Sequence, residues 1–282
     1  MPSDILRNID KLSDTLTNSQ KVVAGYVSDN ISTIAFNTLD ELAMKIGVST
    51  TTVIRFARAL GYSGYSDMQQ DIRSSIKEKV GLPERFSDAA LHLKRDHLLM
   101  DSFKNEIDNL NRTLSGLSED LLKQAIDNII RANHIYIVGM RGAFSMAHLM
   151  ASRLGQVKER VHLVQAVGDI YPEEISGAQT GDLCIAFMFP RYSKMTASLV
   201  SAFRKRGVSI LLFTSPNNIQ VKPYGDLIIP CVVQGISVKN SFVAPLAVVN
   251  YLVTAVTMEN PTAKESLAKT EDMLSRGYYL GL

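Results

Sequence analysis

Cysteine is scarce in this chain of 282 residues, and the two present, Cys184 and Cys231, each sit inside an apolar run. Thiols so placed suit reduced side chains packed in strands, and they argue against a disulfide framework or a cysteine-held metal. The five histidines show no ligand spacing, so neither a metal nor a cofactor is expected. Neither charge sign is in excess, since thirty basic residues face twenty-eight acidic ones for a formal charge of +2. Any contact with nucleic acid must therefore be local. Long uninterrupted apolar runs are missing too. Met1 to Leu12 is broken by Asp4, Arg7, Asp10 and Lys11, which argues against a signal sequence. The most apolar long stretch, Ser241 to Met258, contains Pro245, Asn250 and Thr254. It falls short of the roughly 20 apolar residues that span a bilayer and reads as a buried helix. The expectation is a cytoplasmic protein with no membrane contact. Internal repeats and low-complexity segments are absent as well.

What is present is 46% hydrophobic residues, enough to bury one or two cores, with two domains the better expectation for this length. From Ile5 to about Ile76 the apolar residues recur at helical spacing. Between His134 and Pro230 they gather instead into short runs: Ile135–Val138, Val161–Val164, Leu183–Phe187, Ile210–Phe213 and Leu227–Ile229. Continuous apolarity predicts strands buried on both faces, and strands alternating with helices predict a parallel sheet. The expected division is an all-α domain over residues 1–79, a linker over 80–100 and an α/β domain over 101–282.

Thr38-Leu39-Asp40-Glu41 is a capping box, so a helix is expected to start at Leu39, carry Leu42, Ala43 and Ile46 on one face, and end where Gly47 permits a left-handed backbone. Ser49 can cap the next helix, Thr50 to Leu60, whose inner stripe is Val53, Phe56, Ala57 and Leu60. Two short helices joined by a tight glycine turn form a helix-turn-helix pattern. Outward positions of the second helix carry Thr50, Thr51, Arg55 and Arg58, with Thr52 and Ile54 toward the edges. Arginine can read guanine with two hydrogen bonds, and threonine can meet a phosphate or a thymine methyl. No acidic residue occurs from Leu42 to Ser66 while Lys45, Arg55 and Arg58 do, which makes that window locally positive. Ser49, Thr50, Thr51, Thr52, Arg55 and Arg58 are thus the candidate contacts to double-stranded DNA; a solvated hairpin with ordinary surface arginines is the plainer alternative.

In the second region, Gly139-Met140-Arg141-Gly142-Ala143-Phe144-Ser145 follows a predicted strand and opens a helix. Such a turn lets backbone amides and a helix N-terminus face an anion, although packing alone also explains glycine there. Met188 to Thr196 follows another strand and contributes Arg191, Tyr192 and Ser193. Arg191 can clamp a phosphate or carboxylate in a fork, or serve in a structural salt bridge. Arg141, Gly142, Ala143, Ser145, Arg191, Tyr192 and Ser193 are the candidate ligand residues. Lys239-Asn240-Ser241 reads as a capped helix start, and His134 and His162 as polar residues without a visible partner.

Residues from about Leu12 to Ile76 resemble the N-terminal domain of RpiR/MurR-type regulators, most specifically in Leu39-Asp40-Glu41-Leu42-Ala43 and in Val53 to Tyr62 followed by Gly64-Tyr65. That family joins this domain to a SIS (sugar isomerase) domain. The resemblance thus implies an all-α helix-turn-helix domain followed by a SIS-like α/β domain with a parallel, flavodoxin-like sheet flanked by helices. It implies a transcription regulator, not an enzyme, whose operator affinity answers to a small anionic metabolite such as a sugar phosphate or a sugar acid. It also implies self-association, as a homodimer or a dimer of dimers. Where such domains carry a serine-rich loop with a glycine and a threonine, this chain has Met188 and Pro190 for serines, Arg191 for the glycine and Ser193 for the threonine. Two other readings stay open: a sugar-phosphate isomerase, for which Glu173 and Glu174 are the only acids in view, and a ligand-free dimerisation module.

Overall fold

In the computed structural model the described residues are 4–34, 37–69, 71–72, 82–83, 86–87, 90, 93, 95–167, 171–216 and 221–275. The chain divides into two compact units, Met1–His92 and Leu93–Leu282.

The first unit is helical: α1 (Asp4–Leu12), α2 (Asn18–Asp29), α3 (Ile31–Ile34), α4 (Leu39–Ile46) and α5 (Thr50–Ala59), with a further helical segment at 65–69. Two helices start at true capping boxes, Thr17 with Gln20 for α2 and Thr38 with Glu41 for α4. Gly47 closes α4 at φ 77°, a conformation open to glycine at little cost, and Ser49 caps α5 through the Thr52 amide. One apolar core ties these helices together. It includes Ile5, Val23, Val27, Leu42, Val53, Phe56, Met68 and Ile72, all essentially inaccessible to water.

The second unit opens with α6 (Leu98–Ser115) and α7 (Glu119–Arg131). The α/β alternation follows: β1 (Ile135–Gly139), α8 (Phe144–Val157), β2 (Val161–Val164), α9 (Tyr171–Glu174), β3 (Leu183–Phe187), α10 (Lys194–Lys205), β4 (Ser209–Thr214) and β5 (Leu227–Pro230). Two helices close it, α11 (Val243–Glu259) and α12 (Ala263–Ser275). All strand pairs are parallel, in the order β2-β1-β3-β4-β5. Ile135, Ile137, Ile185, Phe187, Leu211 and Phe213 face α7, α8 and α11, whereas Tyr136, Val138, Cys184, Ala186, Ile210 and Leu212 face α10. Because both faces of the central strands are covered, their sequences are apolar throughout rather than alternating.

Three expectations change. β2 is an edge strand, so only Val164 of its four residues is buried, and burial on both faces holds for β1 and β3 but not here. Residues 95–100, assigned to the linker by sequence, are helical, because Leu98 and Leu99 continue the helical pattern of α6 beyond a 3-10 turn at Arg95–His97. The apolar stretch at 241–258 is indeed a helix, but its first residue is Val243 and its N-cap position is Phe242, which makes no side-chain cap.

Candidate functional site

In the first unit, α5 buries Val53, Phe56, Ala57 and Leu60 and leaves Thr51, Arg55 and Arg58 exposed, with Thr50, Thr52 and Ile54 half-buried. Ser49 and Thr52 are occupied locally, their hydroxyls 2.9 Å apart at the cap. Arg58 lies in the last turn, where its Nε donates to the Ser63 carbonyl at 3.3 Å. Gln20, at the start of α2, donates its side-chain amide to the Arg55 carbonyl at 3.3 Å, tying the two helices near the middle of α5. The result is a rigid helix presenting two guanidinium groups and a threonine hydroxyl to solvent, with no carboxylate on the same helix.

In the second unit, the strand order reverses between β1 and β3, which are paired in register from Ile135–Leu183 to Gly139–Phe187. Open parallel sheets bind ligands at that reversal, outside the carboxyl ends of the strands. A cavity of about 390 Å³ lies there. The turn after β1 approaches its own helix start so closely that a Cβ on Gly139 would stand 2.6 Å from the Ala143 carbonyl oxygen. Arg141 follows at φ 57°, and Arg191, after β3, at φ 68°. Both arginines line the cavity and both are exposed, and Ser193 caps α10 by accepting from the Thr196 amide at 3.4 Å.

Among the candidate ligand residues, Arg141, Gly142, Ala143, Arg191 and Ser193 come together on the cavity wall. Ser145 and Tyr192 do not. Ser145 turns back to donate to the Gly142 carbonyl at 2.8 Å, and the Tyr192 ring packs into the apolar layer under α10. Sequence reasoning undervalued residues 238–242. Lys239, Asn240 and Phe242 complete the wall, while Ser241 accepts from the Val243 amide at 3.3 Å at the start of α11, so the segment read as a helix cap also lines the cavity. Asn240 donates to the Pro190 carbonyl at 3.1 Å, and Phe242 packs on Phe189 and over Gly142, where a Cβ would come within 2.8 Å of its ring. The available signal was a polar triplet ahead of a largely apolar helix. Glu174 is engaged elsewhere, accepting from the Gln165 and Ala166 amides at 3.0 and 3.3 Å. His134 and His162, read as partnerless, lie 3.0 Å apart and stack with Tyr136, because neighbouring strands bring them side by side. Among the described residues no helix is long and apolar enough to cross a membrane.

Residues 3–79 match the helix-turn-helix domain of the rpiR family, and residues 128–255 match the SIS domain. The chain belongs to the RpiR-type transcriptional regulators. An uncharacterized HTH-type transcriptional regulator of Clostridium perfringens is 25% identical over 229 residues, 79% of each chain. Among solved structures, the sugar isomerase domain of an RpiR transcription factor from Sphaerobacter thermophilus matches with a TM-score of 0.59 at 24% identity, covering 62% of this chain and 99% of that one. Vibrio vulnificus NanR, solved in complex with ManNAc-6P, matches with a TM-score of 0.56 at 18% identity over 96% of this chain and 98% of its own. At these identities the structural likeness concerns the fold. This RpiR-type regulator departs from the serine-rich loop at Arg191, whose left-handed backbone is the conformation a glycine would adopt freely.

Proposed function

We propose that this regulator reads operator DNA with α5 and lowers or raises its affinity when a small anion, a sugar phosphate or a sugar acid, enters the cavity between the turns after β1 and β3. The observation that carries the reading is the cavity's charge. Arg141, Arg191 and Lys239 line it, and no carboxylate does among the described residues. A concave wall with three cations and no counter-charge favours a negative ligand. A volume of about 390 Å³ suits a small metabolite. The ManNAc-6P held by NanR, which matches over 96% of this chain, fits that class.

Sensing is favoured over isomerisation by the donor set. Moving a proton beside a carbonyl needs a positioned base. The lining side chains offer arginine, lysine, serine, threonine and asparagine, and Glu174 is held by backbone amides away from them. A homodimer, or a dimer of dimers, in the cytoplasm completes the reading. One helix-turn-helix reads few base pairs, so symmetric pairing supplies specificity. On α6, Leu99, Phe103, Ile107 and Leu114 are each more than half exposed at helical spacing, an apolar stripe that a second copy would cover. Light scattering of a monomer at full operator affinity would overturn the dimer.

The test of the whole reading is a thermal-shift screen of ManNAc-6P, other sugar phosphates and sugar acids against the full chain. A true ligand raises the melting temperature in proportion to the logarithm of its concentration. Equal shifts for wild type and Arg191→Ala would place the anion elsewhere.

A further inference from the structure

The segment from Val232 to Ser241 contributes Val238, Lys239 and Asn240 to the cavity wall, and it is stapled to a single helix. Asn105 and Asn109 of α6 both donate side-chain amides to the Gln234 carbonyl, at 2.8 and 2.7 Å. Glu106 accepts from the Ser241 hydroxyl at 2.6 Å, and Thr113 accepts from the Val232 amide at 2.9 Å. Positions 105, 106, 109 and 113 share one face of α6. The same strap reaches the arginine turn at its other side through Asn240 and Pro190, and it carries Lys239 into the cavity. A tight fold holds it in shape, since a Cβ on Gly235 would collide with the Lys239 carbonyl. At the centre of the row lies a buried acceptor without a partner: Asn109 is 1% exposed, and its Oδ1 makes no hydrogen bond. An orphaned buried acceptor is costly, which leaves this row of contacts short of its best arrangement.

The first unit ends at His92, and α6 is the first long helix after it, starting at Leu98. In the chain α6 is therefore the long helix of the second unit nearest to the DNA-binding unit. We propose that α6 is the relay of this regulator: the strap over residues 232–241 reports the state of the cavity to α6 through Asn105, Glu106, Asn109 and Thr113, and α6 passes it to the helix-turn-helix unit. The proposal rests on reading the cavity as the effector site. An anion drawn between Arg191 and Lys239 moves the strap relative to the turn at Pro190, and the four bonds transmit that movement because they are short and lie on one rigid helix. The ligand's differential affinity for the two strap arrangements sets the size of the effect.

The test uses the full chain and a duplex selected from a random pool by the wild type. Two variants cut staples at side chains that neither line the cavity nor lie on the recognition helix: Ser241→Ala, which removes the hydroxyl bonded to Glu106 together with the acceptor of the Val243 amide, and Asn105→Ala combined with Asn109→Leu. Each is checked for an intact melting transition. The expected result is a change in DNA affinity of about fivefold or more, although every substitution lies in the other unit. Unchanged DNA affinity in both variants would overturn the relay. Hydrogen exchange with about 10 mM ManNAc-6P or inorganic phosphate separates the two readings. Slowed exchange at residues 139–145 and 188–196 together with altered exchange in α6 is expected. Slowed exchange at the turns with α6 unaltered overturns the relay and leaves the cavity standing. No change at the turns removes the effector site, and the DNA affinities of the variants then decide the relay alone.

Discussion

Arg141 and Arg191 leave the carboxyl ends of two paired strands with the same left-handed φ, 57° and 68°, and both residues line one cavity. Residues other than glycine held there cost about 1–3 kcal/mol each, and such strain gathers at binding sites. Glycine would remove the strain at either position. Retaining arginine at both puts the guanidinium groups, and not the turn geometry, at the centre of the site.

Replacing Arg191 by glycine should therefore separate stability from binding. The variant is expected to melt at or above the wild-type temperature, because the turn is relaxed. Its affinity for sugar phosphates should fall about tenfold or more with the loss of a charged hydrogen-bonding fork. Arg191→Lys should bind between the two, keeping charge and losing the fork. Calorimetry showing full affinity in the glycine variant would make the loop purely structural.

Much of this architecture was legible because its signals are local. The capping box at Thr38–Glu41, the left-handed stop at Gly47 and the cap at Ser49 all depend on residues within one turn, and the structure reproduces them. The central strands were equally plain, since apolarity on two faces has no other economical explanation. What stayed hidden is relational. Which way Ser145 and Tyr192 turn depends on neighbours that spacing does not reveal. Lys239 and Asn240 join the site only because a crossover of about fifty residues returns beside Pro190. The His134–His162 pair likewise exists only through the register of β1 with β2.

Gly139 tests the close approach beneath the cavity. An added methyl would stand 2.6 Å from the Ala143 carbonyl oxygen and 3.1 Å from the Ala147 Cβ, neither of which is the end of a flexible chain. Gly139→Ala should destabilise the second unit by about 1–3 kcal/mol. Chemical denaturation is the measurement, and an unchanged midpoint would show that the turn relaxes freely.

The histidine pair predicts acid sensitivity. Loss of water from the stacked His162 ring lowers its pKa from the ordinary value, with His134 adding repulsion and Asp182 opposing it. A base with a depressed folded pKa binds fewer protons folded than unfolded, so its contribution is present above about pH 6.5 and is lost as pH falls toward the folded value. His162→Gln should flatten the stability profile between pH 7 and the acid side of that window, by about one proton's worth of slope at most. An identical slope in wild type and variant would assign the acid sensitivity to other groups.

Arg55 and Arg58 should fail in different ways when removed. Arg55 stands exposed at the middle of α5, where the backbone is fixed by Gln20, and a fixed origin is what bidentate reading of a base edge demands. Arg58 lies in the last turn with its Nε held by the Ser63 carbonyl, a position that suits a phosphate rather than a base. Arg55→Ala is accordingly expected to cost about 1–3 kcal/mol on the selected duplex and to relax preference at one or two positions. Arg58→Ala should weaken selected and random duplexes alike and reduce the salt dependence by about one unit of slope. Titrations at several salt concentrations with both duplexes distinguish the two. Equal losses on both duplexes for Arg55→Ala would make it a phosphate contact, and undiminished binding by the double alanine variant would remove α5 from the interface.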